Sequence, residues 1–266
     1  MGDYHILEYL VSRANLSEGF DSQTEMAFPP LDGASLTSAD EPYSLARSQE
    51  DGEKDLCAIA ADAEVESFWF YLPGKEVWLC PPVTRVVCTG AISGKPTIGI
   101  LSVIADFLAE PSGYVHYHPH PSILREIKLE QAEETWKKKD WYASADQETR
   151  EMVRLATEHY LIAETACPSA EDLKYARSFM DANPGVPAEF RIATEEGITK
   201  FGLDADADVQ MLCFSYALVR RNVCDSFPDN ISFYGSKEPE AVIQETFRIL
   251  SEAIPGLTLE FHPLAR

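Results

Sequence analysis

The sequence predicts an α/β (α+β) fold, and two observations predict it. Aromatic, strand-prone runs come in pairs around turn-forming residues: Glu66-Ser-Phe-Trp-Phe-Tyr-Leu and Glu76-Val-Trp-Leu-Cys flank Pro73-Gly74-Lys75, and Phe190-Arg-Ile-Ala-Thr and Ile198-Thr-Lys-Phe flank Glu195-Glu196-Gly197. Between and after these hairpins lie stretches of helical character. They are residues 122–165, rich in Glu and Lys, the segment opened by Pro168-Ser169, and residues 238–253.

Taken in order, residues 3–14 set Ile6, Leu7, Leu10 and Val11 on one stripe, a short amphipathic helix. Asn15 to Asp55 is polar and rich in Ser, Asp, Glu, Gly and Pro, a linker or a functional surface segment. Residues 56–63 suit a short helix or a strand. Residues 83–92 (VTRVVCTGAI) add a third β-branched strand, and 98–110 form a buried helix or a strand-helix piece. Tyr114-Val-His-Tyr-His-Pro alternates as a strand does. Residues 122–165 read as two helices, and Ser169 is an N-cap with Asp172 three positions on. The remainder gives a helix or strand at 209–221, a strand at 231–235, a helix at 238–253 and a strand in Leu-Thr-Leu-Glu-Phe-His-Pro. The domain reading is an arm over 1–55, a core over 56–204 with a helical insertion at about 122–165, and a C-terminal β-α-β appendage over 205–266 packed on that core.

Charge narrows the function classes. Forty-four acidic residues against 22 basic ones give a net charge of -22. Such a surface disfavours nucleic acid and anionic membrane, whose phosphates are met by Lys and Arg. A basic protein or peptide partner suits it better. No secretory leader and no long apolar span appear. Six dispersed cysteines, at 57, 80, 88, 167, 213 and 224, form no Cys-x-x-Cys pair. Reduced thiols in a cytoplasmic protein are the expectation.

The chemistry concentrates in His116-Tyr-His118-Pro119-His120-Pro121. Side chains two apart on a strand face the same side, so His116 and His118 can reach one cation. Pro119 is expected to stop the strand just past the pair. A catalytic metal site needs three protein ligands and an open position.

These residues, with Ser169-Ala-Glu-Asp172 at a helix start and the strand-turn-strand of residues 190–203 behind it, resemble the JAMM type of zinc metallohydrolase on the MPN fold, over roughly residues 60–204. That resemblance implies a curved, mostly antiparallel sheet flanked by helices. It implies Zn2+ held by His116, His118 and Asp172, with Glu66 (Glu64 the alternative) as general base and Ser169 as hydrogen-bond donor to the developing oxyanion. The activity implied is hydrolysis of a peptide or isopeptide bond, with ubiquitin or a similar modifier as a substrate class. A catalytically inactive MPN-type scaffold that binds a protein partner is the alternative. The chain departs from the family pattern in three places. Residues 119–168 separate the two motifs, Ser67, Phe68 and Trp69 stand where small residues follow the Glu, and Ser122 with Glu126 offers a nearer version of the second motif.

Other motifs are weaker. Gly90-Ala-Ile-Ser-Gly94-Lys95-Pro96 lacks the hydroxyl residue of a phosphate loop, and Asp204-Ala-Asp206-Ala-Asp208 lacks the Gly and Glu of a calcium loop. Trp136-Lys-Lys-Lys-Asp-Trp141 reads as an exposed face or a protein-contact patch.

Overall fold

A computed structural model of the chain describes residues 35–37, 43–63, 67–80, 83–88, 91–96, 113–182, 185, 187–204 and 238–264. Its elements are β1 (Tyr43–Ala46), α1 (Gln49–Asp62), β2 (Trp69–Leu72), β3 (Val77–Cys80), β4 (Val83–Cys88), β5 (Ala91–Pro96) and β6 (Tyr114–Pro119). They continue as α2 (Ile123–Trp136), α3 (Asp140–Ser144), α4 (Gln147–Ala166), α5 (Ala170–Ala182), β7 (Ala188–Thr194), β8 (Gly197–Leu203), α6 (Pro239–Ala253) and β9 (Leu257–Pro263). Among the described residues the fold is mixed α/β. Seven strands form one sheet in the order β1-β3-β2-β6-β7-β8-β9, while β4 and β5 pair separately. Every pair in the large sheet is antiparallel except β6 with β7.

The parallel pair fixes the course of the chain. Two parallel neighbours need a long crossover, and helices α2 to α5 supply it. β6 lies fourth of the seven strands and is buried at all six positions. Strand alternation then sorts its side chains between two helical layers. Val115 and Tyr117 join Leu56 and Cys57 of α1, Trp69, Trp78 and Ala193 in one core cluster. The even-numbered side turns toward α4, α5 and α6, whose Ala163, Leu173 and Val242 pack with Phe190 and Ile192 in the other. The sheet is thus a layer between α1 and the remaining core helices.

Several expectations are refined by this arrangement. The polar 15–55 stretch contains β1 and the first turns of α1, because Tyr43 and Leu45 alternate inward and Ser48 caps the helix through Asp51 N. Residues 56–62 are helical. The 122–165 segment forms three helices, since Asp146 accepts from Thr149 N at 2.8 Å and restarts the chain as α4. Within Trp136-Lys-Lys-Lys-Asp-Trp141, Lys137 to Trp141 are exposed and Trp136 is half-buried, and the glycine-rich 90–96 segment lies mostly in strand β5. The stretches 3–14, 98–110, 209–221 and 231–235 lie outside the described residues. No helix among the described residues is long and apolar enough to cross a membrane.

On the α1 side a charged network clamps β6. Tyr117 Oη donates to Glu53 at 2.5 Å and accepts from Gln49 Nε2 at 2.8 Å. Arg191 of β7 also pairs with Glu53 and Glu189, and Lys200 of β8 reaches Glu189 at 2.7 Å. α1 can approach this closely because Gly52 faces the fully buried Trp78 ring. A Cβ on Gly52 would lie 2.2 Å from Trp78 Cε2. Alanine at Gly52 gains about 1 kcal/mol of helix propensity, yet forces the indole or the helix to move, which costs about 1–3 kcal/mol. The Gly52→Ala chain should therefore unfold at lower urea than the wild type, and an unchanged or higher midpoint would show that Trp78 does not set this spacing.

Candidate metal centre

The site begins with a helix start that caps itself. Ser169 Oγ accepts from Asp172 N at 3.1 Å, and Asp172 Oδ2 accepts from Ser169 N at 2.6 Å. This reciprocal pair satisfies two backbone donors at the N-terminus of α5 and holds the Asp172 carboxylate facing the sheet. There Asp172 Oδ1 lies 2.7 Å from His118 Nδ1, and Oδ2 lies 3.5 Å from His120 Nε2. His118, His120 and Asp172 are 7%, 8% and 8% exposed, so the contact excludes most water.

His120 enters through the backbone. Its N–H donates to Ala193 O at 2.9 Å, which carries the β6–β7 ladder one residue past Pro119 and turns the His120 ring to the side of His118. Pro119 itself is tolerated because β2 pairs with β6 only as far as Tyr117, leaving no partner there that needs its missing N–H. On the ring, His120 Nδ1 lies 2.7 Å from the Thr165 carbonyl. A carbonyl can only accept, so the proton is on Nδ1 and Nε2 is the nitrogen that faces Asp172. A backbone acceptor on the far ring nitrogen is the usual support of a metal-ligating histidine.

His118, His120 and Asp172 each offer one ligand atom within 4.8 Å of the others, and together they could hold a metal ion. Two ligands of one tetrahedral zinc at about 2.0–2.1 Å are themselves about 3.3 Å apart. The His120–Asp172 separation already matches, and the His118–Asp172 hydrogen bond would open slightly. Two imidazoles and one carboxylate also suit zinc and the other borderline divalent ions.

The electrostatics fit a carboxylate kept ionised. Burial works to raise the Asp172 pKa, but the charge and hydrogen bonds of His118 and His120 outweigh it and hold the group well below the usual carboxylate range. His116 is different. It lies on the same strand side, 3% exposed, with its ring 5.0 Å from those of Phe70 and Tyr175. Burial, assisted by His118 and opposed by Asp172, pushes its pKa down to about 3. Phe68 stacks on His118 at 4.6 Å and on His116 at 5.5 Å, covering both rings.

Of the residues singled out by sequence, His118 and Asp172 are thus in direct contact. His116 neighbours them without belonging to the three-residue group, and Ser169 caps the helix that carries Asp172. Glu66 and Glu64 lie outside the described residues. Ser122 and Glu126 are directed elsewhere: Ser122 Oγ donates to Glu195 at 3.1 Å, beside the pairing of Arg125 with Glu195 and Glu196, and Glu126 is exposed. His120 is the member that sequence reasoning did not assign. Its signal was its place at the third alternate position after His116 and His118. Cys57, Cys80 and Cys167 are buried and not in disulfides. Compared with known proteins, the chain matches no family model, no curated protein and no solved structure.

The buried neutral imidazole of His116 makes the fold acid-sensitive. Below about pH 6.5 the unfolded chain binds a proton there that the folded chain refuses until about pH 3. Stability therefore falls as pH drops through that window, by about 1.4 kcal/mol per pH unit from this group. The Asp172 contribution is present above 3.8 and is lost only below it, since its folded pKa is depressed. In metal-free protein, His116→Phe should shrink the loss of urea resistance between pH 6.5 and pH 4.5. A variant that loses as much as the wild type over this range would contradict this burial effect.

Proposed function

We propose that the chain is a zinc-dependent hydrolase of peptide or isopeptide bonds. The observation that carries the reading is the buried contact of His118 and His120 with Asp172 from the capped start of α5. A nonpolar trio would fill this space without the cost of desolvating a carboxylate, so ionic groups kept here point to a ligand that needs them. The resemblance to JAMM enzymes on the MPN fold supports the same reading through the His-x-His-Pro and Ser-x-x-Asp motifs.

In this reading His118, His120 and Asp172 hold Zn2+. When bound, the ion supplies Lewis acidity and lowers the pKa of a water from 15.7 toward about 7. Asp172 stays ionised at neutral pH and offsets the charge of the ion. The Thr165 carbonyl orients His120, and the Ser169 N–H orients Asp172. Phe68 keeps bulk water from the two imidazoles it covers. Glu66 is assigned the general base by resemblance alone. The acidic surface fits a protein or peptide substrate, and a ubiquitin-like modifier is the class the resemblance suggests.

The second reading is a non-catalytic scaffold of the same fold that binds a protein partner. The Phe68 ring over both histidines favours it, because a substrate carbonyl would have to pass that ring. Turnover separates the two. Protein purified without a polyhistidine tag should bind one zinc and cleave members of a panel of ubiquitin-like isopeptide and short peptide substrates. His118→Ala together with Asp172→Ala should lose both metal and activity, and Glu66→Gln should keep the metal while slowing turnover about 10²–10⁴-fold. Stoichiometric zinc with no turnover on any substrate would select the scaffold, and no zinc in the wild type would remove the metal reading.

A further inference from the structure

Five large hydrophobic residues stand exposed among the described residues, and all five belong to the crossover helices: Ile123, Ile127, Trp141, Met152 and Leu155. Of these helices α2 is the least covered for its length. None of its 14 residues is buried, and its inner side meets the fold only through half-buried residues such as Leu124, Leu129 and Trp136. A helix this short draws most of its stability in water from a covered apolar face, so two bare isoleucines on it need an explanation. Ile123 is 36% and Ile127 41% exposed, and a spacing of four puts them on one face. Glu126, Glu130 and Glu134 stand exposed on and beside that face. Glu134 pairs with Lys137, while Glu126 and Glu130 have no ion pair among the described residues. The cations of α2 are engaged elsewhere, Arg125 with Glu195 and Glu196 and Lys128 with Glu164.

We infer that the outer face of α2 is a docking surface for a basic amphipathic segment of a partner protein. Apolar side chains of the segment cover Ile123 and Ile127, and its Lys or Arg side chains meet Glu126 and Glu130. Charge selects this occupant. A second copy of a chain at -22 would set the same unpaired glutamates against one another, whereas a cationic segment neutralises them. Charge also sets where on α2 the segment lies. Lys138 and Lys139 are exposed just past the far end of the helix and repel a cationic chain, so the segment lies over the first turns. Those turns begin three residues after His120, and three residues span at most about 11 Å. The docked segment therefore sits beside the candidate metal centre, although the inference needs no ion there.

A fluorescein-labelled amphipathic helical peptide made only of Leu and Lys, titrated into the full chain and followed by anisotropy, tests this. Charge reversal by Glu126→Lys with Glu130→Lys should weaken binding about tenfold or more. Glu240→Lys with Glu260→Lys, an equal charge change at exposed positions elsewhere, should weaken it less than about twofold. Ile127→Ser should weaken it about threefold or more, because the apolar contact is lost. No binding, equal weakening by the two charge-reversed pairs, or an Ile127→Ser chain that binds like the wild type would overturn the inference. Two further measurements address the other occupants. In sedimentation equilibrium the wild type should be monomeric, and a dimer broken by Ile127→Lys would overturn the inference by assigning the face to a second copy. The thiol of Ile127→Cys should label as fast as an exposed cysteine. Slow labelling of the monomer would overturn the inference by showing the face covered by its own chain.

Discussion

A carboxylate with almost no exposure to water meets an imidazole 54 residues earlier in the chain, and much of the arrangement follows from that contact. Burial of a carboxylate and its partner is expensive, and the mutual attraction repays the cost only when the remaining lone pairs are satisfied. Asp172 meets that condition through the Ser169 N–H and His118, with His120 Nε2 3.5 Å away. For the contact to exist, α5 must begin beside the end of β6. That in turn fixes where the helical crossover must return before the chain enters β7. Removing one partner of such a buried pair costs about 3–5 kcal/mol, far more than a surface ion pair is worth.

The two faces of β6 divide the labour. Tyr117 faces α1 and is locked by Glu53 and Gln49, with Arg191 beside it in the same network. His116 and His118 face the opposite way, against Phe68 and Tyr175. A strand clamped on one side by charge-assisted hydrogen bonds gives rigid support to the histidines on the other. The helical crossover is tied to the same region at both ends. Arg125 near the start of α2 binds Glu195 and Glu196 in the β7–β8 turn, and Thr165 near the end of α4 accepts from His120.

Much of this was readable from residue types. Alternation placed the histidine pair on one side of a strand. The Ser169-to-Asp172 spacing announced a capping box, which the hydrogen bonds at 3.1 and 2.6 Å display. The hairpins at Pro73-Gly74-Lys75 and Glu195-Glu196 formed where turn chemistry put them. What was not readable depends on pairing between distant segments. Proline at 119 reads locally as the end of a strand, but the ladder with β7 extends through the His120 N–H, and this recruits a third histidine. The short β1 hides in a polar stretch because only Tyr43 and Leu45 need to point inward. The parallel β6–β7 pairing has no signal at all in local periodicity.

The central claim is that His118, His120 and Asp172 share a metal ion. Anomalous difference density from crystals of the zinc-loaded chain, collected on both sides of the zinc edge, addresses it most directly. One strong peak within bonding distance of all three side chains is the predicted result. A loaded crystal with no peak there, or with its zinc bound only at surface carboxylates, would contradict the account.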